Sequence, residues 1–317
     1  MGQLQFTCFG TFQVVLNGAP LTTFQTDKVR ALLVYLAVEQ QAHQRSALAQ
    51  LLWPGYSTES ANSSLRQTLH RLRHLLRDAD AEPSWLLITR QTVQFNPAAP
   101  MTIDAVSFTK LIAECAAHSH TQLVACQPCL ARLQQAVALY QGDFLSSFTV
   151  ADSDGFEEWR RMTQEQLHLQ TLDALTYLAH AAESSGDDEG ALQAAQRQLT
   201  LEPWLEAAHR RIMRILAQRG QRAAALAQYQ RCRQVLFEEL RMAPDAETAA
   251  LYEQIRSGAL PDTTRKSPQR TPVTQGETSP PASPQPARTA PRCLAGRTQA
   301  LAQLESWLDT ACAGQGR

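Results

Sequence analysis

The 317-residue chain balances 29 lysines and arginines against 30 aspartates and glutamates, and 44% of it is hydrophobic. That length and composition suit about two ordinary globular domains, and the near-zero charge gives no global pull toward nucleic acid or membrane, so any electrostatic partner must be read locally. The longest apolar run, Ala31 to Val38, is too short to span a bilayer, the opening MGQLQFTCFG lacks the basic and apolar parts of a secretory signal, and seven cysteines without a regular framework suit a reducing compartment, so the expected location is cytoplasmic.

Leu4, Phe6 and Cys8, then Phe12, Val14 and Leu16, alternate as strand residues do, and Asn17-Gly18 supplies a tight-hairpin signal. Helical periodicity begins near Thr26 and carries KVRALLVYLAV; RSALAQLLWP is a second short helix stopped at Pro54. A third helix lies in SSLRQTLHRLRHLLRD. After it, WLLITRQTVQFNP (Trp85 to Pro97) reads as two short strands around a polar tip. Strands, three helices and a terminal hairpin are the order of a winged helix, assigned to residues 1–97.

From Ser63 to Arg77 the third helix has four arginines, two histidines and no acid. Ala61, Leu65, Leu69, Leu72 and Leu76 form one apolar stripe, expected to seat on a core. Ser63, Gln67, His70, Arg71 and His74 fall opposite, with Arg66, Arg73 and Arg77 on the flanks. A solvated surface helix usually mixes charge signs. An acid-free polar face in the third position before a strand-turn-strand instead predicts a DNA major-groove helix, in which Arg can fork onto guanine and Gln can pair with adenine.

Residues 98–258 read as helical throughout. Gly186 and Gly220, Leu178 and Ile212, Ala182 and Leu216, Ala191 and Ala225, and Leu192 and Leu226 are all 34 apart. That period, with Gly at a turn and Ala-Leu opening the next helix, is the tetratricopeptide (TPR) pattern of paired helices that bury their faces by stacking. The expected fold class is mainly α with a small β component: an N-terminal winged helix-turn-helix followed by a TPR-like helical repeat domain. Trp159 and Trp204, at helical spacing among Leu and Ala, are expected in packing. Pro261 to Arg292 holds eight of the 16 prolines, so 259–292 is expected to be a disordered linker.

The segments KVRALLVYLA, LAQLLWP and NSSLRQTLHRLR together resemble the OmpR-type winged helix of the Streptomyces antibiotic regulatory protein (SARP) family. LYQGDFLSSF, FEEWRRMTQEQL and the stretch from Leu201 to Thr248 resemble the bacterial transcriptional activator domain that follows it in those proteins. The resemblance implies a transcriptional activator that binds promoter repeats in double-stranded DNA, contacts RNA polymerase and forms a homodimer, at least on DNA. By position it implies base contacts from Ser63, Gln67 and Arg71, and phosphate contacts from Arg66, His70 and Arg73. Lys28 and Arg30, near the start of the first helix, are further phosphate candidates or equally solvated side chains, and Arg90 at the hairpin tip is expected to enter the adjacent minor groove. A repeat-based adaptor, with the winged helix turned to protein binding, is the alternative; the acid-free face favours DNA.

CAAHSHTQLVACQPC brings Cys115, His118, Cys126 and Cys129 into metal-ligand spacing. A structural zinc and a metal-free helix–helix loop both remain open, the second favoured because the pairs sit closer than in ordinary fingers. No motif requires a cofactor, no oxyanion donor or orienting acid accompanies these thiols, and no enzyme activity is expected. Residues 293–317 look like the lead-in of a signal-transducing ATPase. None of the three lysines follows a glycine, so a Walker loop is lacking.

Overall fold

A computed structural model describes residues 2–119 and 123–259. The alternating residues at the start form antiparallel β1 (Leu4–Thr7) and β2 (Gln13–Leu16), with Phe6 opposite Val14. Asn17 and Gly18 take φ of 54° and 81°, the doubly left-handed turn that Asn-Gly favours, and lead into β3 (Ala19–Pro20). α1 (Asp27–Glu39) buries Val29, Leu32, Leu33 and Leu36. β4 (His43–Gln44) precedes α2 (Arg45–Leu52), which ends just before Pro54. The Ser57 hydroxyl caps α3 (Thr58–Leu75) by accepting from the Ser60 amide at 3.3 Å. β5 (Leu86–Ile88) and β6 (Thr92–Phe95) form the wing, in a sheet ordered β4-β6-β5. This is the winged-helix order expected from the sequence.

Packing does not break at residue 97. β7 (Met101–Ile103) runs parallel to β1 and completes the first sheet as β3-β2-β1-β7. Asp104 then opens α4 (Asp104–Ala117), and its carboxylate accepts from the amides of Cys8 and Phe9 at 2.8 to 3.1 Å. After α5 (Gln127–Leu139) the chain returns to the first sheet: the Gly10 amide donates to Asp143 O at 2.9 Å, and the Leu145 amide to Cys8 O at 2.8 Å. Gly142 permits this approach, because a Cβ there would stand 3.2 Å from the Gly10 Cα. One apolar core consequently runs from Leu4, Leu32 and Leu65 through Phe108, Tyr140 and Phe144 to Phe156 and Leu167. The winged helix and the helices behind it share their interior.

The repeat follows as α6 (Asp154–Ser185), α7 (Asp188–Leu201), α8 (Glu206–Gln218) and α9 (Arg222–Val235), then a π-helical turn (Leu236–Leu240) and α10 (Ala246–Ser257). The 34-residue spacing is visible in the backbone. Gly186 and Gly220 have φ of 75° and 73°, and the next amide in each case, Asp187 or Gln221, donates to a carbonyl five residues back at 2.8 Å. Both are Schellman closures, which need a left-handed residue that glycine supplies without strain. Ala191 and Ala225, the paired openings of α7 and α9, are each fully buried. Trp159 packs in the core, as expected. Trp204 does not: it is 37% exposed on the turn after α7, where Pro203 and Trp204 precede α8. Apart from Ala259, the expected linker 259–292 and the segment 293–317 lie outside the described residues.

Candidate nucleic-acid interface

α3 seats on the core through Ala61, Leu65, Thr68, Leu69 and Leu72, with Leu76 at its cap. Ser63, Arg66, Gln67, His70, Arg73, His74 and Arg77 are exposed. Two details differ from the sequence reading. Arg71 is half-buried at the margin of the outward face, while Arg66 and Arg73 stand more open than a flanking position implied. The helix also begins at Thr58, ahead of the basic stretch, so its exposed first turn carries Glu59. The cause is the Ser57 cap, which satisfies an amide of the first turn and fixes the start there.

Among the described residues, Arg66 and Arg71 make no ion pair, which leaves their charge available to an anion. Arg73 is shared: its Nε donates to Asp78 at 3.0 Å while its side chain stays 54% exposed. The other Asp78 oxygen accepts from the amides of Trp85 and Leu86 at 2.7 and 3.1 Å. This buried acid, not singled out from the sequence, locks the end of α3 to the first wing strand. Its signal was the first acid after a long basic run.

Arg90 is exposed at the tip between β5 and β6. The tip is shaped by Thr89, whose hydroxyl accepts from the amides of Gln91 and Thr92 at 3.1 and 2.8 Å. The Arg45 amide donates to Gln91 O at 2.8 Å and ties the start of α2 to the same turn.

Lys28 and Arg30, expected at phosphates, are also engaged within the fold. The Lys28 ammonium donates to Leu52 O at 2.7 Å and Asp152 O at 3.2 Å, and lies over the Trp53 ring. Leu52 ends α2, where carbonyls lack helical donors and carry the negative end of the helix dipole. Burial lowers the Lys28 pKa, opposed by the Asp152 charge. The Arg30 guanidinium packs against Phe148, Phe24 and Phe12, with Asp27 at 3.8 Å. Both residues brace the fold behind the interface.

Three of the four expected metal-ligand residues, His118, Cys126 and Cys129, bring their ligand atoms together at the junction of α4 and α5, with Cys115 buried beside them. His118 Nδ1 lies 3.1 Å from Cys129 Sγ and 3.4 Å from Cys126 Sγ, and the Cys115 thiol donates to Cys129 O at 3.5 Å.

Residues 103–256 match the family described as the bacterial transcriptional activator domain. That match covers just under half of the chain and lies behind the winged helix. No curated protein matches it. Among solved structures this chain shares its fold with Mycobacterium tuberculosis EmbR in complex with a low-affinity phosphopeptide, at 20% identity and a TM-score of 0.57. The alignment covers 81% of this chain and 66% of that one, just under two thirds of its length. Among the described residues no helix is long and apolar enough to cross a membrane.

Proposed function

We propose that this chain is a transcriptional activator of the SARP type, which reads double-stranded DNA with α3 in the major groove and Arg90 toward the adjacent minor groove, and activates transcription by contacting RNA polymerase. The observation that supports the reading is the outward face of α3: a row of exposed polar and basic side chains on a helix whose other face is fixed in the core of a winged helix. Ser63, Gln67 and Arg71 are assigned to base edges. Arg66, His70 and Arg73 are assigned to phosphates. The activator domain serves dimerisation, at least on DNA, and presents the winged helices in tandem to repeated sites. The protein works in the cytoplasm, without catalysis.

The test is a fluorescence-anisotropy titration of the full chain against genomic fragments, starting with the stretch upstream of its own gene, at two salt concentrations. Saturable, salt-dependent binding with a preferred fragment is expected. Absence of binding to every fragment by the folded chain would overturn the reading in favour of a protein partner for α3.

A further inference from the structure

The α4–α5 junction carries a donor set that the DNA-binding reading does not use. α4 ends with Cys115 in its last turn and His118 at its cap, while α5 begins with Cys126 at its cap and Cys129 in its first turn. Each half is therefore a pair of donors three residues apart on one helix end, which aims both side chains to the same side. The ligand atoms of His118, Cys126 and Cys129 all lie within 4.8 Å of one another. Cys115 is buried beside them and donates to Cys129 O at 3.5 Å, so its thiol has to turn from that carbonyl to complete the set.

We propose that Cys115, His118, Cys126 and Cys129 bind one structural zinc ion that clamps the end of α4 to the start of α5. The chemistry fits. Zinc takes thiolate and imidazole ligands at about 2.3 and 2.0 Å, which sets sulfur–nitrogen edges of about 3.6 Å in a tetrahedron. The observed edges of 3.1 and 3.4 Å need only a small outward adjustment to reach that size. Three sulfurs and one nitrogen fill a tetrahedron and leave no open position, so the ion would be structural. Leu123, Leu133, Val137, Ala174 and Leu178 pack around the cysteines and shield the site from the side of α6. A disulfide between Cys126 and Cys129 would need neither His118 nor Cys115, yet both are drawn in.

The clamp has a mechanical role. Apart from the contacts within the Cys/His cluster itself, the polar tie described between the two helix ends is the partly exposed Arg132–Glu114 pair at 3.1 Å, which is weak. A metal at the junction would hold the α4–α5 hairpin that packs on α6.

The experiment uses the full chain, purified with reductant and without chelator. Elemental analysis is expected to find about one zinc per chain. Replacement by cobalt(II) is expected to give thiolate charge-transfer absorption and the intense visible bands of a tetrahedral site, saturating at one equivalent. Cys126→Ser and His118→Ala should each weaken metal retention at least tenfold, whereas the Cys293→Ser, Cys312→Ser double variant should retain the ion. His118→Cys is the folding control: it keeps four donors and should bind cobalt with a shifted visible spectrum. Overturning results would be no zinc together with only weak octahedral cobalt absorption in the reduced chain, a Cys126–Cys129 disulfide in the purified protein, or metal lost with Cys293 and Cys312.

Discussion

Arg73 Nε donates to Asp78 at 3.0 Å, and through that pair the exposed face of α3 is joined to the wing. The two partners are unequal. The Asp78 side chain is 2% exposed and also accepts from two wing amides, whereas Arg73 is half in solvent. Asp78→Ala would strand two buried N–H groups and should cost about 2 to 4 kcal/mol. Arg73→Ala removes a partly exposed ion pair and should cost no more than about 1 kcal/mol. Urea unfolding of both variants decides the matter, and equal small losses would mean that Asp78 does not lock the wing.

On DNA, Arg66 and Arg71 should separate by readout. Arg71→Ala is expected to lose about 1 to 3 kcal/mol on the preferred fragment and much less on unrelated DNA, as for a base contact. Arg66→Ala should weaken all sequences alike and flatten the slope of log K against log salt by about 0.9. Arg73→Ala should flatten it less, since Asp78 already neutralises part of its charge. An equal loss on all fragments for Arg71→Ala would reassign that residue to the phosphates.

Lys28→Met separates a bracing role from a phosphate contact. Its ammonium donates to two carbonyls, at the end of α2 and in the segment before α6. Losing charge-assisted bonds of this kind should cost about 1 to 3 kcal/mol of stability while leaving the salt slope of DNA binding unchanged. A flatter slope at full stability would return Lys28 to the phosphate backbone.

The winged helix and the repeat were legible because both announce themselves in local spacing: alternation in Leu4 to Leu16, the apolar stripe from Ala61 to Leu76, and glycines 34 apart. The assignments that changed depend on contacts distant in sequence. Lys28 looked like a free cation until Asp152, 124 residues away, came beside it. The shared core was hidden for the same reason, since nothing local in LYQGDFLSSF says that Leu145 will bond to Cys8. Arg71 and Arg66 are a different case. A helical wheel gives angle but not how far the rest of the fold covers each flank, and Arg71 is half-buried where Arg66 is exposed.

Gly186→Ala and Gly220→Ala should each cost about 1 to 2 kcal/mol. A Cβ at either position meets nothing within 4 Å, so the cost is the left-handed backbone alone. Thermal unfolding of the two variants should shift by similar amounts, as expected of equivalent turns, and Asn at the same positions should recover part of the loss. An unchanged midpoint for either Ala variant would mean that its turn relaxes out of the Schellman closure.

The stability of the repeat should fall in mild acid through His209. The ring is buried in α8; Nε2 donates to Pro203 O at 2.9 Å, and Nδ1 accepts from the Gln228 side chain at 2.8 Å. Both bonds suit a neutral imidazole. Burial lowers its pKa below the ordinary 6.5, with Arg231 adding to the effect and the Pro203 carbonyl and Glu206 opposing it. Between the folded and unfolded values the unfolded chain binds more protons, so stability rises with pH across that window. The His209 contribution is therefore complete above the unfolded value and is lost as pH drops from there through the lower folded value. Urea unfolding free energies of the parent chain and His209→Gln, measured from about pH 7.5 to about pH 5, should show the parent's advantage shrinking as the solution is acidified. An advantage that stays constant, or grows, would mean that the buried ring accepts its second proton as readily as the unfolded chain does.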